Sequence, residues 1–376
     1  MFSRVVFGVD QILSKNPSWK RKRIGLLTND GACTSDGEYS RKALLDKGFN
    51  IVHLFSPEHG ISAAHPDGHA VKDSRDILTS LPVSSLYNNE PLSKPVDCLA
   101  LDLILIDLQD VGVRCYTYLW TACELLQLAA EAAIPILVLD RPNPLGGELD
   151  WAEGPFVHPT CKSFLGKYNI PLTHYCSIGE LLLYCNQTEK LNANVSVEKG
   201  VWERSLDFSA WEMEWIKPSP GLKSFSACAL YPSLCFFEAT NVVLARDQQF
   251  SFEFFGASWF QNANIKTAFE NNSYSYQTEG ESIFGIRCHR EHPVSNPVSL
   301  GLQLLYDIKH AFPRDFKWAN YPTNANLSGE NHLSYITGIP QAQEFFELNE
   351  TAFQSKLQEY LMVDWKQKIR SYLLYS

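Results

Sequence analysis

Four short apolar runs early in the chain each end abruptly in polar side chains, and this limits the fold more than any other feature. IGLL (24–27) runs into Thr28-Asn29, and IVHLF (51–55) into Ser56-Pro57-Glu58-His59-Gly60. LILI (103–106) meets the polar stretch from Asp107 to Arg114, and ILVL (136–139) meets Asp140-Arg141-Pro142-Asn143. Apolar runs of this length suit strands buried on both faces, the condition of a parallel sheet. Helical periodicity lies between and after them, over 39–47, 118–133 and 178–186. The alternation predicts an α/β fold: a Rossmann-like parallel sheet with helices on both faces. In such a sheet ligands bind in the crevice outside the carboxyl ends of the strands. The polar clusters are expected to converge there, joined by Glu153-Gly154-Pro155 after a short loop.

At 376 residues the chain exceeds one ordinary domain. The stiff Lys217-Pro218-Ser219-Pro220-Gly221 loop marks a boundary, giving a Rossmann-like catalytic domain over 1–222 and a smaller α+β C-terminal domain over 223–376 that covers the cleft. Aromatics crowd the start of the second part, a helix is expected over 300–312, and two more near the C terminus. A net charge of -10 argues against a nucleic-acid partner, which needs a basic patch. The ten cysteines contain no CxxC pair and read as reduced structural thiols. Arg4 and Asp10 break the N-terminal apolar runs, so no signal-peptide core is expected. No apolar stretch approaches the ~20 residues of a membrane span. These features together predict a cytoplasmic chain, or a secreted or periplasmic one if a leader has been removed. The absence of G-x-G-x-x-G and P-loop patterns leaves a dinucleotide or nucleotide unsupported, and no cofactor is expected.

Each polar cluster has two readings. Pro57 and Gly60 fix Glu58 at the end of its strand, beside His59. A carboxyl group in a partly apolar crevice is held protonated and can act as a general acid, whereas one in an open loop forms an ordinary ion pair. Arg114 is able to clamp a carboxylate and Tyr116 to stack on a sugar ring; alternatively Asp110 and Arg114 pair with each other. Asp140, Arg141 and Asn143 form a ligand wall or a turn with an internal ion pair. Glu153 offers a second carboxylate, and glycosidic bonds are commonly cleaved between two carboxyl groups. His59, His65, Asp67, His69 and Asp73 match no standard ligand spacing, so no metal is expected. Glu238, Asn241 and Arg246 lie among aromatics and are placed on the far side of the crevice.

The strings GLLTND, LFSPEHG, LPVSSLY, DLQDVGVRCYTY, LDRPNPLGG and EGP follow one another in that order, continued by Pro218-Ser219-Pro220, Tyr231-Pro232 and Glu238 to Asn241. This series resembles the NamZ family of exo-β-N-acetylmuramidases. The resemblance implies release of terminal N-acetylmuramic acid from the non-reducing ends of peptidoglycan fragments, a peptidoglycan-derived saccharide being the partner. It implies Glu58 and Glu153 as catalytic carboxylates. Asn29, His59, Asp110, Arg114, Tyr116, Asp140, Arg141 and Asn143 become binding residues, with Glu238 and Asn241 from the second half. Arg114 and Arg141 are the expected partners of the lactyl carboxylate. The chain departs from the family pattern at Tyr175-Cys176-Ser177, Gly221, Ala239, Asp247 and Gln248, so an altered substrate preference is expected there. A sugar-binding protein without turnover is the alternative function.

Overall fold

The computed structural model describes residues 5–88, 96–260, 271–278 and 280–376. The predicted apolar runs become strands β1 (Ile24–Leu27), β2 (Ile51–Ser56), β5 (Leu103–Ile106) and β6 (Ile136–Leu139). Three further strands, β3 (Ser74–Arg75), β4 (Pro82–Ser85) and β7 (Val195–Glu198), complete a seven-stranded sheet of order β3-β4-β2-β1-β5-β6-β7. Only β3 runs antiparallel to its neighbour. The six parallel strands, counted along the chain, lie in the order 3-2-1-4-5-6 of a doubly wound fold.

The pleat of β5 shows why helices cover both faces. Ile104 and Ile106 enter one apolar cluster with α3 (Tyr118–Glu131) and α4 (Ile178–Thr188). Leu103 and Leu105 point the other way, into a cluster with α1 (Gly8–Ser14) and α2 (Ser40–Asp46). Each such side chain, fully buried, contributes about 1.5–3 kcal/mol relative to exposure. Local signals set the helix ends. Ser177 Oγ accepts the Glu180 N–H at 3.2 Å and the Glu180 carboxylate accepts the Ser177 N–H at 3.0 Å, a capping box that starts α4.

The second half contributes α5 (Phe225–Leu234), α6 (Pro297–Ala311), α7 (His332–Thr337) and a three-stranded antiparallel sheet of order β8-β10-β9. Its strands are β8 (Phe254–Ala257), β9 (Asn271–Thr278) and β10 (Glu281–Cys288). Phe236, Phe237, Phe252 and Phe255 join the same core cluster as α3 and α4, so one apolar core runs through both halves. The chain end returns to the first half, where the Tyr375 hydroxyl donates to Asp140 Oδ2 at 2.8 Å. Nine cysteines among the described residues are buried and free.

Candidate active site

A cavity of about 490 Å³ opens between the loops that follow β2, β4 and β5 and the facing loops of the second half. It lies outward from the β1–β5 switch point, because the polar residues there are paired with one another. Asn29 Nδ2 donates to the Tyr118 hydroxyl at 2.7 Å, and that hydroxyl donates to the Pro218 carbonyl at 2.6 Å. Asp107 is bound by Arg141 at 2.6 Å. The crevice floor is thus closed by internal hydrogen bonds, and the open space sits above it.

Glu58 is carried into this space by the turn after β2. His59 and Gly60 adopt left-handed φ values of 66° and 71°, and a Cβ at position 60 would fall 2.8 Å from the His65 ring. Glu58 Oε1 accepts the Gly68 N–H at 2.8 Å, and Oε2 accepts the Thr117 hydroxyl at 2.7 Å. His59 Nδ1 lies 2.9 Å from the His65 carbonyl, which only accepts, so that nitrogen carries the proton. Its Nε2 then faces Asp67 Oδ1 at 4.0 Å. Asp67 is in turn held by Arg246 Nη1 at 3.1 Å and by the Tyr321 hydroxyl at 2.5 Å. Arg246 Nη2 also pairs with Glu238, whose other oxygen lies 3.3 Å from His332 Nε2.

The two carboxyl groups are pushed in opposite directions. Burial, aided by the charge on Asp67, raises the pKa of Glu58 above the ordinary glutamate value. Burial also works against charge on Asp67, but Arg246, His59 and the Tyr321 hydroxyl outweigh it and hold that pKa below the usual range. The surroundings thus favour the acid form of Glu58 and the ionised form of Asp67, a difference of the kind that separates acid from base in a shared site. Burial, and after it the charge of Glu58, also raises the pKa of the Tyr87 hydroxyl, so Tyr87 enters the cavity as a neutral donor. Tyr116 presents its ring to the cavity, backed by Tyr118 at 4.6 Å and Tyr231 at 6.4 Å. Among the described residues, Glu58, His59 and Asp67 each bring one carboxylate or ring atom to within 4.8 Å of the others.

Of the residues singled out in the sequence, Glu58, His59, Tyr116, Glu238 and Arg246 line the cavity, as do Gly221 and Asp247 among the departures from the family pattern. The remaining binding candidates are placed elsewhere. Arg114 is wholly buried and donates to the carbonyls of Pro155 (2.5 Å), Ile170 (3.1 Å) and Ile336 (2.8 Å); burial lowers its pKa to about 10. It joins backbone segments and meets neither a ligand nor Asp110. Asp110 accepts the Gly112 N–H at 2.7 Å and lies 3.3 Å from His174 Nε2. Asp140 accepts from Ser177, Gly179 and Tyr375, with its pKa raised by burial to about 6. Arg141 is spent on Asp107 and the Cys33 carbonyl. Asn143 accepts the Leu145 N–H and donates to the Cys176 carbonyl, while Asn241 bridges Asp315 and Lys317. Arg114 and Arg141, expected to receive the lactyl carboxylate, do not line the cavity, because buried backbone and carboxylate groups claim their donors. Glu153 is not brought together with Glu58 in the cavity; its Oε2 accepts the Val298 N–H at 2.8 Å at the start of α6.

Asp67, Tyr87, Thr117, Tyr321 and His332 were not recognised in the sequence as site residues. Tyr87 closes the LPVSSLY string and Thr117 sits between the two tyrosines of YTY, which was the available signal. Nothing local to Tyr321 announces it.

A cavity at the carboxyl ends of a parallel α/β sheet, holding two neighbouring carboxyl groups among tyrosine and phenylalanine rings, suits a hydrolase of the glycoside-cleaving class. The chain belongs to the NamZ family of exo-β-N-acetylmuramidases: residues 24–226 match the family's N-terminal domain and 229–375 its C-terminal domain. It is 30% identical over 350 residues to the peptidoglycan β-N-acetylmuramidase NamZ of Bacillus subtilis (strain 168), covering 88% of this chain and 83% of that protein. Two crystal structures of DUF1343 family proteins from Bacteroides fragilis NCTC 9343 share the fold. One has a TM-score of 0.81 at 23% identity, covering 100% of both chains. The other has 0.72 at 25% identity, covering 100% of this chain and 99% of that one. No helix among the described residues is long and apolar enough to cross a membrane.

Proposed function

We propose that the exo-β-N-acetylmuramidase reaction of this chain is carried out by Glu58 as general acid and Asp67 as the ionised carboxylate. Glu58 protonates the glycosidic oxygen as its bond to the anomeric carbon breaks, so the electron pair leaves with a neutral hydroxyl. Asp67 stabilises the positive charge that develops on the sugar. Water then adds to the anomeric carbon and returns a proton to Glu58. The products are N-acetylmuramic acid and a peptidoglycan fragment shortened by one sugar. The reading is carried by one observation: two carboxyl groups share a cavity whose surroundings favour opposite protonation states. One oxygen of each carboxyl group lies within 4.8 Å of the other, so both can reach the same glycosidic bond.

The test is hydrolysis of a chromogenic β-N-acetylmuramide, with and without a chelator. Turnover that the chelator leaves unchanged, lost in Asp67→Asn, supports the assignment. Saturable binding of the muramide with no turnover would contradict it and identify a sugar-binding protein.

A further inference from the structure

Arg246 lines the cavity, part-exposed, with its guanidinium set among protein groups. Its two terminal nitrogens are taken by Asp67 and Glu238, and its guanidinium lies over the rings of Phe252 at 4.9 Å and Tyr321 at 5.6 Å. Each terminal nitrogen already faces a carboxylate of the protein, and the contacts point to the loop that carries Asp67. Tyr321 donates to Asp67 Oδ2, which Arg246 also holds, and this leaves Oδ1 on the side of His59. One residue further on, the Gly68 carbonyl accepts the Asn324 N–H at 2.6 Å while the Gly68 N–H is donated to Glu58. The second half of the chain therefore grips the loop that presents both carboxyl groups.

From this arrangement we propose that Arg246 is a positioning residue for the hydrolysis, holding Asp67 charged and oriented in the cavity from the opposite half of the chain. The inference rests on the assignment of Asp67 made above. Asp67 is 36% exposed, so without a fixed cation water and the neighbouring Glu58 would govern its charge. The other groups that face it do not replace the arginine. His59 has its second nitrogen 4.0 Å away, Tyr321 is a neutral donor, and His332 stands behind Glu238. Arg246 itself faces Glu238 and the hydroxyls of Tyr231 and Tyr321 besides Asp67, and Glu238 balances the charge it does not spend on Asp67. An arginine that only knitted the two halves together would alter thermal stability and leave the pH profile in place.

The experiment compares the full-length chain with Arg246→Met and Arg246→Lys, reading the pH profile of kcat/KM and the carbon-13 carboxyl resonance that disappears in Asp67→Asn. Asp67 acts ionised, so activity rises with pH through its pKa. In Arg246→Met that rise and the resonance midpoint should both move up by about one pH unit or more. kcat should fall roughly 10–100-fold with a smaller change in KM, and Arg246→Lys should restore most of the shift. If Arg246→Met does not fold, Tyr321→Phe removes the second donor and should move both readings the same way by less. An unmoved midpoint in a folded variant would overturn the inference. A moved midpoint with unchanged turnover would instead overturn the assignment of Asp67 to the reaction.

Discussion

Glu58 is poised by opposing effects of similar kind, and each can be removed alone. Thr117 and Gly68 donate to its oxygens and favour the charged form, whereas burial and the charge of Asp67 favour the acid, and the acid wins. Because the reaction needs Glu58 protonated, activity should fall as pH rises through its raised pKa. Thr117→Val removes a donor to the carboxylate, so the alkaline limb of kcat/KM should move to higher pH, by about one unit at most. Asp67→Asn removes the negative neighbour, so what activity remains should lose its alkaline limb at lower pH than the wild type. Limbs that move together in the two variants would contradict this balance. Glu58 and His59 were legible because a five-residue turn places both. The Asp67–Arg246 pair was not, since ion pairs between distant segments leave no spacing to read.

At the scale of elements, residues expected at the site prove to organise its surroundings. Glu153 caps α6: its carboxylate receives backbone N–H groups of the first turn, which a helix cannot satisfy internally. Burial raises its pKa to about 7, against roughly 4.3 in an unfolded chain. With the folded value the higher, the stability it contributes is fully present below about pH 4 and is lost as pH rises through about 7. Glu153→Gln keeps the acceptor and removes the charge, so its melting temperature should gain on the wild type between about pH 5 and pH 8, with most turnover retained. Loss of turnover comparable to that of a Glu58 variant would return Glu153 to the reaction. Arg114→Leu leaves three buried carbonyls bare, at about 1–3 kcal/mol each, and should lower thermal stability without changing the preference between muramide and glucosaminide. The buried central strands were legible as apolar runs. β7, with the partly exposed sequence VSVE, and β9, with NNSYSYQT, offer no such run; they pair because the neighbouring strand presents a free edge.

Over the whole molecule, strand–helix alternation foretold the doubly wound sheet, and the general rule for such sheets placed the site at the carboxyl ends of the strands. The rule held for the end of the molecule and missed the level. Asn29, Asp107 and Arg141 close the crevice among themselves, and the working cavity is completed by side chains of the second half. Catalysis in this account is therefore a property of both halves together, with Glu58 supplying the proton from one of them. The most direct test is the turnover of a muramyl-glucosamine disaccharide by Glu58→Gln, in protein whose melting temperature and ligand binding match the wild type. The account predicts a loss of roughly 10²–10⁴-fold in kcat. Turnover within a few-fold of the wild type in that folded, binding-competent variant would contradict it.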